Sequence, residues 1–170
     1  ATRYFAALGA RVEALDVLRH ADAQDEARAA AVRASRFIYL GGGSPLHLRS
    51  VLKDTPVWLA LVDAWREGAV VAGSSAGAMV LCDPMVDPRG GAFTLGLALL
   101  TQVAVIPHAD SWSAEKTRRT YELAPKGVVV VGIDEQTALV RSAGGSWRVE
   151  GAGSATVWVD GHPAGIDVLP

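Results

Sequence analysis

The chain has 170 residues, half of them hydrophobic and one fifth charged, which is one ordinary domain by length with ample apolar material for a core. A net charge of −2, with no basic patch and no run of like charge, argues against nucleic acid and membrane-surface binding, and no apolar stretch reaches the ~18 residues of a membrane-spanning helix. The single cysteine, Cys82, excludes an intramolecular disulfide and a cysteine metal cluster.

The chain opens inside what reads as a helix, Ala1–Leu8, stopped by Gly9. A βαβ protein usually begins with a strand, so an upstream segment carrying one is expected to be missing, and a removed targeting signal stays open. Cytoplasmic location is the default. Arg11–Leu15 alternates and is expected to form a strand. Asp25–Ser35 is alanine-rich and predicts a helix. Phe37-Ile38-Tyr39-Leu40 reads as a buried strand running into Gly41-Gly42-Gly43-Ser44-Pro45. Leu46–Leu52 and Pro56–Glu67 follow as helices.

Next comes Gly68-Ala-Val-Val-Ala-Gly-Ser-Ser-Ala-Gly-Ala-Met-Val-Leu81. Ala69–Ala72 suits a strand buried on both faces of a parallel sheet. Gly73-Ser74-Ser75-Ala76-Gly77 fits Gly-x-Ser-x-Gly, a strained strand-to-helix turn that lifts a serine out of the sheet. Ser75 is the centre of that motif and Ser74 its neighbour. A tight structural turn would carry the same letters, so the strand before, the helix after and downstream partners decide between the two.

Cys82–Gly96 is rich in Pro, Gly and Asp and is expected to be a loop over the site, with Cys82 two turns down the preceding helix. Val103–Ile106 is a strand ending at Pro107-His108. Ser113–Leu123 is a polar helix, and Val128–Gly132 a buried strand followed by Ile133-Asp134-Glu135. Ala138–Arg141, Ser146–Glu150 and Ala155–Val159 predict a short antiparallel tail with turns at Gly144-Gly145 and Asp160-Gly161. The expected fold is therefore α/β: one domain over residues 1–170, a three-layer sandwich around a mostly parallel sheet.

In such a sheet, sites lie beyond the carboxyl ends of the strands. Four loops leave there: Gly41–Pro45, Gly73–Gly77, Pro107–Asp110 and Ile133–Gln136. They bring a glycine run, a serine, a histidine and an Asp-Glu pair. A serine hydroxyl needs a base, and the base needs an orienting carboxylate. Of four histidines only His108 ends a buried strand. The carboxylate is Glu135 or Asp134; Asp110 is another possible orienter but is too close in sequence to His108 for an easy approach. Amide donors for an oxyanion are expected from Ala76 and from Gly41–Gly43. Gly41-Gly42-Gly43 lacks the spacing and the lysine of phosphate-binding loops.

Taken together, Leu40-Gly-Gly-Gly-Ser44, Gly73-Ser-Ser-Ala-Gly-Ala-Met79, Pro107-His108 and Gly132-Ile-Asp-Glu-Gln-Thr-Ala138 resemble the peptidase E and cyanophycinase family of serine peptidases. That fold is similar to class I glutamine amidotransferases. The resemblance implies a triad of Ser75 nucleophile, His108 base and Glu135 acid, an oxyanion loop at Gly42 and Gly43, and no metal or cofactor. It further implies a small peptide substrate beside aspartate: peptidase E takes dipeptides with N-terminal Asp, cyanophycinase a β-Asp-Arg polymer. Cyanophycinases carry His-Phe and then closely spaced arginines, whereas here Ala109-Asp110-Ser111-Trp112 follows His108 and the arginines come at Arg118 and Arg119. Peptidase E has an aromatic before the serine and Asn after Gly-Ala, where this chain has Ser74 and Met79. Asp134, Arg89, Trp112 and Arg118 are the candidate substrate contacts. A homodimer is allowed for; nucleic acid and membrane are not expected partners. The alternatives are a catalytically idle amidotransferase-like binding module, a cyanophycinase or amidase with another amide substrate, and an amidase or esterase with a non-peptide substrate.

Overall fold

The structure, a computed structural model, describes residues 1–170. Its first half runs α1 (Thr2–Ala7), α2 (His20–Ala23), α3 (Glu26–Arg33), β1 (Phe37–Leu40), α4 (Pro45–Leu52), α5 (Pro56–Arg66), β2 (Val70–Gly73) and α6 (Ala76–Val80). The helix starts are written in the sequence. Asp25 caps α3 by accepting from the N–H groups of Ala27 and Arg28. Ser44 and Thr55 cap α4 and α5 the same way, each followed by a proline at the first helical position, where a missing N–H costs nothing.

The second half continues with β3 (Cys82–Asp83), β4 (Met85–Val86), β5 (Phe93–Thr94), β6 (Leu100–Thr101), β7 (Val103–Pro107), a 3₁₀ turn (Ala109–Ser111), α7 (Ala114–Glu122), β8 (Val129–Ile133), β9 (Thr137–Arg141), β10 (Trp147–Gly151), β11 (Ala155–Val159), β12 (His162–Ala164) and a 3₁₀ turn (Ile166–Val168). The fold is mixed α/β. Parallel pairing occurs at β1–β2, β3–β6 and β7–β8, but hydrogen bonds do not join these pairs. The largest sheet has four strands in the order β12-β11-β8-β7, with β11 antiparallel to β8 and to β12.

Two apolar clusters result. One gathers Val103–Ile106 of β7 and Val129–Val131 of β8 with Tyr121 of α7 and Val157 of β11. The other gathers α2 to α5, with Ile38, Leu40 and Val71 of β1 and β2 packed against it. Helix α6 joins them, sending Met79 into the first and Val80 into the second.

Several expectations are corrected. Arg11–Leu15 forms no strand; nearby, Ala10 N–H bonds to Phe5 and Val17 N–H to Leu15. An alternating pattern becomes a strand only where a neighbour takes its backbone groups. Cys82–Gly96 is not an open loop: it supplies β3, β4 and β5, and Cys82, Met85 and Val86 are buried at 1% exposure or less. Helix α6 ends at Val80, so Cys82 lies on β3 rather than two turns down a helix. Of the expected tail, β9 and β10 pair with each other, but β11 instead extends β8. No helix is long and apolar enough to cross a membrane.

Candidate active site

Strands β1 and β2 are parallel with Leu40 opposite Gly73, so both end together. The glycine run and the serine turn therefore leave the sheet side by side. Ser75 has φ +52° and ψ −118°, a conformation that a non-glycine residue holds only where its surroundings force it. The flanking glycines supply the force. A Cβ on Gly77 would sit 2.1 Å from the Leu40 carbonyl oxygen, and one on Gly73 2.5 Å from the Gly77 carbonyl. The turn is thus packed backbone on backbone. Gly42 lies against the serine itself: its Cβ would come 3.3 Å from Ser75 Cβ and 3.7 Å from Oγ. Gly43, at φ +137°, has open space around it. Ala76 is the first residue of α6, where a helix N–H has no intrahelical partner. The Ser75 hydroxyl is half-buried and makes no hydrogen bond within the protein, including to His108, whereas the Ser74 hydroxyl is 2.5 Å from the Tyr39 hydroxyl.

Strands β7 and β8 are parallel with Pro107 opposite Ile133, so the next residues again leave one edge together. His108 takes a left-handed conformation, φ +55° and ψ +41°. Its Nδ1 lies 3.2 Å from Glu135 Oε1. That bond sets the tautomer in which Nδ1 carries the proton and Nε2 is free to accept one. The other histidines face carbonyls: His20 contacts Ser50 and Val51, His47 contacts Leu18, and His162 contacts Asp160. Asp110 does not reach the His108 ring; its carboxylate accepts from the Glu135 N–H at 3.0 Å.

Asp134 turns the other way. Its Oδ2 accepts from the Ser154 hydroxyl at 2.7 Å and the Ser154 N–H at 3.0 Å. The hydroxyl bond first, then the amide, holds its carboxyl below the usual range. Asp134 is therefore tied to the start of β11. Arg89 is likewise occupied: its guanidinium grips the Asp87 carboxylate through Nε and Nη2, at 3.0 and 2.6 Å. Arg118 pairs with Glu122 at 2.6 Å on the exposed face of α7. Trp112 lies under Lys116, whose Nζ is 3.5 Å from the ring centre, and shares with Arg118, Tyr121 and Trp158 a cavity of about 380 Å³. Burial pushes the Cys82 thiol up to about 12, so it is a core residue and not a second nucleophile. No three His, Cys, Asp or Glu side chains gather in a metal-binding cluster.

Two contacts escaped the sequence reading. The Tyr39–Ser74 bond was hidden because it depends on the β1–β2 register. The Asp110–Glu135 bond was hidden because its acceptor and donor are 25 residues apart.

The model of peptidase family S51 matches residues 1–146. The cyanophycinase of Trichormus variabilis (strain ATCC 29413 / PCC 7937) is 31% identical over 166 residues, covering 91% of this chain and 56% of the relative. That of Thermosynechococcus vestitus is 31% identical over 164 residues, covering 90% and 51%. The chain thus spans about half the length of the curated relatives it matches. The crystal structure of a peptidase from an acI-B1 actinobacterium superposes with a TM-score of 0.83 at 31% identity, covering 93% of this chain and 67% of that one. A putative peptidase E from Listeria monocytogenes EGD-e gives 0.69 at 19% identity, covering 89% and 76%, a likeness of fold.

Proposed function

The chain belongs to peptidase family S51, and from that premise we propose a serine hydrolase that cleaves small amides beside an aspartyl residue. Ser75 is the nucleophile, His108 the base and Glu135 the acid behind it. The observation that carries this reading is the His108 Nδ1 to Glu135 Oε1 bond at 3.2 Å, with Nε2 left free and the strained Ser75 hydroxyl uncommitted.

In this reading, His108 Nε2 takes the Ser75 proton as Oγ attacks the substrate carbonyl. The developing oxyanion accepts hydrogen bonds from the N–H groups of Ala76, Gly42 and Gly43. His108 then gives its proton to the leaving amine, and Glu135 holds the imidazolium in place. Water, deprotonated by the same ring, attacks the acyl-serine and frees the enzyme. The absent Ser75–His108 bond is compatible with this, since catalytic hydrogen bonds often tighten only with substrate in place.

Peptidase E-like action on dipeptides with N-terminal Asp is the specificity we favour. The cyanophycinase relatives support β-Asp-Arg as a second substrate of the same chemistry. Arg89 and Arg118, the proposed acidic-group partners, must give up Asp87 and Glu122 to serve. For the whole protein we infer the three-layer, amidotransferase-like sandwich, in which the parallel pairs share one sheet. A second reading, an idle binding module, is favoured by the same missing Ser75–His108 contact.

A fluorophosphonate probe separates the readings. Labelling of Ser75, lost in Ser75→Ala together with hydrolysis of Asp-X amides or β-Asp-Arg, is expected. A folded protein whose Ser75 stays unlabelled supports the idle module. Labelling with neither amide cleaved points to the amidase alternative.

A further inference from the structure

The His108–Glu135 pair is exposed, with 46% and 59% of the two side chains open to solvent. An exposed pair of this kind does not hold its own geometry, because water competes for both partners and both chains retain rotamer freedom. Something else must keep the carboxylate behind the ring.

The backbone of the acid loop supplies part of the answer. Asp134 is fastened to Ser154, and Thr137 donates its hydroxyl to the Glu135 carbonyl. Both contacts tie Glu135 to its own side of the molecule. One contact crosses to the histidine's side: Asp110 Oδ1, accepting from the Glu135 N–H at 3.0 Å. Asp110 sits inside the 3₁₀ turn that starts at His108. That turn is closed by Ser111, whose N–H and hydroxyl both donate to the His108 carbonyl at 2.9 and 2.7 Å. The result is a closed ring of contacts: His108 backbone, Asp110 side chain, Glu135 backbone, Glu135 side chain, His108 imidazole.

We propose that Asp110 is a positioning residue that fixes the Glu135 carboxylate against His108, an inference that rests on the serine-hydrolase reading above. The acceptor oxygen, rather than the charge, performs the task. With the bond in place, a shift of the histidine turn carries the acid loop with it. Without it, only the exposed His108–Glu135 pair links the two loops beyond the Pro107–Ile133 pairing, and the ring loses its fixed angle.

The test uses the full chain. In Asp110→Ala, fluorophosphonate labelling of Ser75 at saturating probe slows by roughly 10- to 100-fold, as small misplacements of catalytic groups do. The half-saturating probe concentration stays unchanged. The Nδ1–H proton resonance of His108 shifts or broadens in NMR. Asp110→Asn restores both rate and resonance, because the amide oxygen accepts the same N–H. Wild-type labelling rate in Asp110→Ala, or Asp110→Asn as slow as Asp110→Ala, overturns the proposal. Absence of labelling in the wild type defeats the hydrolase reading instead. The resonance still decides the positioning: an unchanged Nδ1–H signal in Asp110→Ala overturns it. Asp110→Ser, one bond too short for the contact, replaces Asp110→Ala should that variant fail to fold, with the same outcomes expected.

Discussion

Two glycines near the serine have opposite jobs, and their variants should separate. Gly77 has no space: its Cβ would meet the Leu40 carbonyl at 2.1 Å. Gly77→Ala is expected to cost at least about 1–3 kcal/mol from overpacking and to lower the melting temperature. Gly42 has tight but workable space, 3.3 Å from Ser75 Cβ. Gly42→Ala is expected to melt near the wild-type temperature while labelling Ser75 slowly. A wild-type melting temperature for Gly77→Ala would show that the turn yields. Asp134 makes a pH prediction. Its carboxyl is held low by the Ser154 hydroxyl and amide, so its contribution to stability is present above the unfolded value of about 3.9. It is lost as pH falls through the depressed folded value. The stability gap between wild type and Asp134→Asn, from urea titrations, should be full at pH 6 and shrink steadily below about pH 4. At this scale the sequence was informative about chemistry and poor about partners. Ser75, His108 and Glu135 were legible as candidates because reactive residue types end apolar runs. That Ser154 holds Asp134 and Asp87 holds Arg89 could not be read, because these neighbours become partners only in the folded chain.

Elements succeeded or failed according to where their hydrogen bonds go. Helices α3, α4 and α5 carry their own caps, so their starts are legible. Thr55 shows the cost of losing one. It is fully buried, donating to the Leu52 carbonyl at 2.7 Å and accepting from the Trp58 N–H at 3.2 Å. Thr55→Val keeps the shape and removes both bonds. It should lower stability by about 1–3 kcal/mol, read as a lower urea midpoint with unchanged slope. An unaltered midpoint would mean that water replaces the hydroxyl. The β9–β10 hairpin was readable from Gly144-Gly145, where Gly145 adopts φ +85°. Arg11–Leu15 was not, because strand pairing depends on a distant neighbour. Cys82–Gly96 misled for another reason. Its prolines and glycines suggested a loop, but strands of two residues need no long pattern, and Gly96 N–H is pinned by Asp83 at 2.8 Å.

Across the whole molecule, stability is divided between two apolar clusters, and a five-residue helix holds one residue in each. Met79, 3% exposed, is the anchor on the β7–β8 side. Met79→Ala should cost about 2–5 kcal/mol, and hydrogen exchange at Val131 and at Leu61 should accelerate together. Acceleration at Val131 alone would mean that the clusters unfold independently. The mixed α/β class was visible in the alternation of strand and helix patterns. The division into separate sheets was not, because periodicity reports which face of a strand is apolar and not which edge is taken.

Strand β2 sets Ser75 at the edge of one cluster, while β7 and β8 root His108 and Glu135 in the other. In the hydrolase proposed above, reactivity at Ser75 is therefore a gauge of how squarely the two halves meet, and it should respond to pressure, solvent additives or bound ligand well before either half loosens by itself. A substrate that touches both halves would act as a clamp, assembling the machinery that consumes it.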